Sequence, residues 1–135
     1  MSKSEYFRDL ARNDLFLAEA EESRREYSRG EYFEFKSAKR HFKKFCRWFR
    51  YTPAFLRSVQ KLDSNIRYKV FDQIELFGKN PKHPGFKVQK LKGKWLGFCA
   101  FCIGPKLRVI FERIKSEKME IVLLHQVRSH DIYRS

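Results

Sequence analysis

Between Ser4 and Arg29 the apolar residues Tyr6, Leu10, Leu17, Ala20 and Tyr27 recur at spacings of three, four and seven, with no proline or internal glycine. That stripe predicts an amphipathic helix stopped by Gly30. It is too narrow to build a core alone. Glu31–Phe35 (EYFEF) alternates as a short strand or extended arm, and Ser37 caps an expected short helix through Phe45. Trp48–Tyr51 reads as a strand. Thr52–Pro53 is a helix start, an N-cap hydroxyl followed by a proline whose missing N–H does no harm. Phe55, Val59 and Leu62 share one face of that helix. After Asp63–Ser64–Asn65, the residues Ile66, Val70, Ile74 and Phe77 line a second helix closed by Gly78, so the two make a helical hairpin.

Beyond the proline-punctuated loop KNPKHPGF the period changes from 3.6 to 2. Strands are expected near Lys87–Leu91, Trp95–Ile103, Leu107–Ile114 and Met119–Arg128, with turns at Gly104–Lys106 and Lys115–Lys118. Both faces of the last strand are largely apolar, which places it inside a sheet covered on both sides. The expected fold class is α+β, a helical hairpin on a twisted, mostly antiparallel sheet of four to five strands, preceded by an N-terminal helical arm. The expected division is an arm over 1–45 and a body over 46–135.

Charge sharpens that division. The 135 residues carry 30 Lys+Arg against 16 Asp+Glu, net +14. Residues 1–45 account for only +2 of this and residues 46–135 for +12. A body so basic points to an anionic partner, nucleic acid before a membrane surface. No apolar run approaches the ~18 residues that span a bilayer. The first residues, MSKSEYFRDL, lack the apolar stretch of a secretory signal, so a cytoplasmic location is expected. Cys99 and Cys102 form a CxxC without a second pair of comparable spacing. On a strand those thiols point to opposite faces, so they read as buried small hydrophobes, and no metal site is expected.

FRYTPAFLRSVQKLD, NPKHPGFKVQKLKG, FCIGPKLRVIFERI and IVLLHQVRSHDIYR, in that order, resemble the RelE/ParE superfamily of toxins from toxin–antitoxin pairs, over about residues 47–135. The resemblance implies one of two activities. RelE-like members enter the ribosome and cleave mRNA without metal or cofactor, by attack of a ribose 2′-OH on the adjacent phosphate. ParE-like members bind DNA gyrase and perform no nuclease chemistry. A partner is implied in either case: a cognate acidic antitoxin.

Under the first reading Arg108 matches the arginine that contacts the scissile phosphate, a task suited to a guanidinium fork. Arg128, His130 and Tyr133 match the C-terminal basic, imidazole and aromatic groups that assist proton transfer or stack on a base. Lys92, with Lys87, Lys90 and Lys94, would hold the RNA backbone; the neighbouring rings Phe86, Trp95 and Phe98 make the mixture single-stranded RNA favours. Ala100, Cys102 and Gln89 stand where active relatives carry Lys, Arg or Glu, which favours the gyrase reading. Taken structurally, Arg108 pairs with Glu112 on the same strand face, and the lysines guard a sheet edge. Residues 1–45 faintly resemble the toxin-wrapping half of an antitoxin, through RGE followed by aromatic residues; the plainer reading is a helical extension that completes the core. A toxin silenced by its own arm is the third functional reading.

Overall fold

The computed structural model describes residues 3–36, 48–115 and 120–129. Helix α1 (Lys3–Ser28) is followed by strands β1 (Phe33–Lys36) and β2 (Trp48–Tyr51), then helices α2 (Pro53–Gln60) and α3 (Ser64–Lys79). Strands β3 (Gln89–Lys90), β4 (Cys99–Ile103), β5 (Leu107–Lys115) and β6 (Glu120–Ser129) complete one six-stranded sheet in the order β1-β2-β6-β5-β4-β3. Among the described residues only the β2–β6 pair is parallel. The α+β class holds, with one strand more than the upper expectation. The extra strand is β1, whose FEFK alternates and extends the sheet beyond β2. The expected helix over 37–45 lies outside the described residues.

Local chemistry explains the boundaries. Gly30, at φ +80°, ends α1 with its N–H on the Tyr27 carbonyl while Glu31 N–H reaches Glu26. The Thr52 hydroxyl accepts from Phe55 N–H at 3.2 Å, with Pro53 at the first helical position. Arg67 donates to the carbonyls of Gln60 and Leu62, both at 2.8 Å, and so ties the joint between α2 and α3. Gly78 does not close α3. It is buried within the helix, which runs to Lys79 and is capped at Asn80. The strand expected from Trp95 begins only at Cys99, because Gly93–Trp95 coils into a 3₁₀ turn and Gly97 takes φ +93°.

Strand β6 lies between β2 and β5 and is buried from Ile121 through Val127, as its two-sided apolar pattern requires. The α2–α3 hairpin covers one face. There Phe55, Val59, Val70, Ile74 and Phe77 meet Phe101, Val109, Phe111, Val122 and Leu124. Phe77 lies flat on Phe101, centroids 4.1 Å apart, with Phe86 and Phe111 edge-on. Where β2 stops short, Ser58 Oγ takes over the β6 edge by accepting from Val127 N–H at 3.0 Å. On the other face lies a smaller cluster, in which Ala20, Phe16 and Leu17 of α1 meet Trp95, Phe98, Ala100 and Ile110. Among the described residues, no helix is long and apolar enough to cross a membrane.

Candidate functional site

The sheet face beneath α1 carries the chemistry. Register sets two cross-strand rows there: Gln89–Ala100–Ile110–Gln126 and, two residues on, Cys102–Arg108–Arg128. Arg108 is half-buried, and its Nε is enclosed with no hydrogen-bond partner among the described residues. Arg128, directly opposite, lies under two rings, 4.9 Å from the centroid of Trp95 and 5.4 Å from that of Phe16. His130 and Tyr133 lie outside the described residues.

The lysines are spread around the β3 side of this face. Lys87, Lys90 and Lys92 are exposed, Lys87 in left-handed backbone at φ 47°. Lys90 is in register with Cys99, which packs on the hairpin core, so it belongs to the opposite face from Arg108. Lys94 reaches Asp14 of α1 at 3.6 Å. Cys99 and Cys102 face opposite sides, as alternation demands, and burial pushes the Cys99 thiol up.

A buried polar array, unforeseen from the sequence, joins α1 to the sheet. Between Ile110 and Phe111 the β5–β6 register slips by one, because β6 carries one extra residue. His125 and Gln126 therefore both face α1 in the middle of an apolar strand. The Gln126 amide nitrogen donates to the Phe16 carbonyl and to Glu19, both at 3.1 Å. His125 Nδ1 is 2.6 Å from Ser23 Oγ and its Nε2 is 2.7 Å from Glu112 Oε1. Arg24 Nε donates to the same carboxylate oxygen at 2.7 Å, with its guanidinium 3.7 Å above the Phe98 ring.

One set of protons satisfies the whole chain. Phe55 N–H donates to Thr52, Thr52 to Ser23, Ser23 to Nδ1 of a neutral His125, and its Nε2–H to Glu112. Burial pulls the His125 pKa below its ordinary value, and Glu112 offsets only part of that. Glu112 feels burial pushing it up, but the hydrogen bonds from His125 and Arg24 outweigh this and hold it low. A serine–histidine–glutamate string invites comparison with a hydrolytic triad. Ser23 and His125 are both fully enclosed, so no substrate reaches the hydroxyl, and the string is architecture. Glu112 thus spends its acceptor capacity on α1 and His125, not on Arg108. The HQ pair inside IVLLHQV was the available signal, since two successive polar residues in a central strand require polar cover.

Glu26 anchors the far end of α1. Its buried carboxylate accepts from Ala54 N–H at 2.8 Å and from Arg57 at 3.0 Å, at the positive end of α2.

No family model matches the chain, and no curated protein matches it. Solved structures to which it is similar include toxins. A YoeB/ParE toxin from Agrobacterium tumefaciens is 21% identical at a TM-score of 0.49, over 61% of this chain and 97% of that one. YafQ from E. coli strain BL21(DE3) is 17% identical at 0.48, over 66% and 99%. The E. coli DinJ–YafQ toxin–antitoxin complex matches at 18% identity and 0.43, over 66% and 98%. At these values the likeness assigns no chemistry.

Proposed function

We propose that the chain is the toxin of a toxin–antitoxin pair and acts as a metal-independent, ribosome-dependent mRNA endonuclease. The observation that carries this reading is Arg108, a guanidinium with an enclosed and unpartnered Nε among the described residues, opposite a second arginine at the centre of the sheet. Two like charges so placed favour an anion between them, and a phosphate is the anion a guanidinium fork fits best. The resemblance of the LRVIF strand to the RelE pattern gives that phosphate an identity, the scissile one.

In cleavage, the ribose 2′-OH gives up its proton and attacks phosphorus, and the departing 5′ oxygen takes a proton. Arg108 neutralises the charge that builds on the phosphorane oxygens. His130 or Tyr133 assists proton transfer, and Arg128 adds positive charge to the face. Lys87, Lys92 and Lys94 hold the backbone on the β3 side.

A cognate acidic antitoxin is the expected partner. A groove of about 710 Å³ between α3 and the β4–β5 turn supports this, being lined by apolar Leu62, Ile66, Ile103 and Leu107 with Lys69 and Lys106 against one acid, Asp72. Such a surface suits an amphipathic acidic segment.

A second reading, a non-enzymatic gyrase inhibitor, is favoured by the uncharged β4 positions Ala100 and Cys102 on the same face. Cell-free translation with primer extension on the reporter mRNA decides between them. The nuclease reading expects ribosome-dependent cuts; intact mRNA together with inhibited supercoiling by gyrase would support the second.

A further inference from the structure

We infer that α1 is a built-in inhibitor, a helix that undocks as a unit and whose departure opens the Arg108–Arg128 face to single-stranded RNA. This rests on the RNA reading of that face and adds its regulation.

The first observation is where the cores lie. Among the described residues the hairpin-side cluster contains none from α1, so those residues form the main core of the body without the helix. What α1 covers is mixed: Arg108, Glu112, His125, Gln126 and Arg128 share that face with Trp95, Phe98, Ala100 and Ile110, on which Phe16, Leu17 and Ala20 make its apolar purchase. The charged part of that face tolerates water, and the apolar part is what holds the helix down. Interfaces of this mixed kind within one chain permit relative movement.

Charge gives the second observation. Over Lys3–Ser28 there are seven acidic and five basic residues, net −2, so the rest of the chain carries +16. The acids meet cations of the body: Asp14 meets Lys94 and Glu19 meets Lys61, both at 3.6 Å, and Glu26 meets Arg57 at 3.0 Å. An acidic helix across a basic face takes the place of a polyanion.

The third is what α1 occupies. Phe16 stacks on the Arg128 guanidinium, and Asn13 Oδ1 accepts from the Trp95 indole N–H at 3.2 Å. Trp95 and Phe98 are both buried beneath the helix, edge to face at 5.6 Å. Rings beside arginines form the platform on which unpaired bases stack. With α1 in place, Phe16 fills a position that a base would take. Gly30, in left-handed backbone just past the helix, is the natural pivot.

The test uses the full chain and a short fluorescein-labelled polyuridine strand at fixed salt. Phe16→Ser combined with Ala20→Gln breaks the apolar purchase without changing charge. Because binding needs the open state, apparent affinity scales with its population, and the double variant should bind about tenfold or more tightly than wild type. Asn13→Ala, which threatens no core, should shift affinity in the same direction by less. With Trp48→Phe in every chain, tryptophan emission reports uncovering of Trp95 independently. Equal RNA binding by all chains, with Trp95 uncovered in the double variant, overturns the inhibitory arm and leaves the RNA reading standing. No binding by any chain, with Trp95 uncovered, overturns both. If the double variant does not fold, Asn13→Ala decides on the same readouts.

Discussion

Arg108 and Arg128 stand directly across from one another on β5 and β6, two guanidinium groups on one face of the sheet. Like charges at opposed positions destabilise a strand pair. Arg128 lies under the rings of Phe16 and Trp95, and Arg108 keeps an enclosed Nε unbonded among the described residues. That Nε gives Arg108 donor capacity for a ligand.

Arg108→Ala should therefore remove cleavage, by about 10²–10³-fold or more, the usual cost of losing one donor to a developing oxyanion. Its melting temperature should match or slightly exceed wild type, because a repulsion is relieved. Arg108→Lys should recover little activity, since an ammonium lacks the fork. Single-turnover cleavage beside thermal melting checks all three; a large loss of stability in Arg108→Ala would mark the residue as structural.

His125 should make stability depend on pH. Its folded pKa lies below the ordinary value of 6.5, so below about pH 6.5 the unfolded chain binds a proton that the folded chain resists. Stability is then full at neutral pH and falls as the pH drops. Glu112, also held low, continues the loss through the carboxylate range. Melting curves from pH 7.5 downward should show the decline, and His125→Gln should remove its upper part. A flat profile for the wild type would contradict a buried neutral imidazole.

Ser23→Ala should cost about 1–3 kcal/mol, because it leaves His125 Nδ1 and the Thr52 hydroxyl buried without their shared partner. Chemical denaturation measures this. A cost below a few tenths would mean that the array is not formed in solution.

Gly97→Ala should loosen α1. At φ +93° any side chain is strained, and a Cβ here would come within 2.8 Å of an Arg24 guanidinium nitrogen. The Arg24 guanidinium must then shift from its seat over the Phe98 ring. A stability loss of about 1–3 kcal/mol is expected, together with a red shift in tryptophan emission. Unchanged emission would show that Arg24 is not needed for docking.

Much of this architecture was legible along the chain. Thr52–Pro53 marked a helix start by capping chemistry alone, and the doubly apolar IVLL run located β6 at the centre of the sheet. Gly78 misled because a glycine near a helix end reads as a stop, while here it is buried inside α3. The start of β4 was hidden by Gly93 and Gly97, whose positive φ values coil the chain just where the alternation suggests a strand. The site divides in the same way. The motif put Arg108 on a strand, and β5 is where it lies. Its expected partner Glu112 was claimed instead by Arg24 and His125, from segments 88 and 13 residues away, and pattern along one strand cannot register such competition. Likewise the lysines looked like one basic run, yet sheet register separates Lys90 from Arg108.

The central claim is that the body cuts mRNA at a phosphate held by Arg108. Primer extension on a reporter mRNA in a cell-free translation extract tests it most directly, with the wild type, the arm-released Phe16→Ser/Ala20→Gln chain and that chain carrying Arg108→Ala. The account predicts ribosome-dependent cuts, stronger in the released chain than in the wild type and absent once Arg108 is replaced. Intact mRNA from the folded, released chain, or cuts that persist without Arg108, would contradict it.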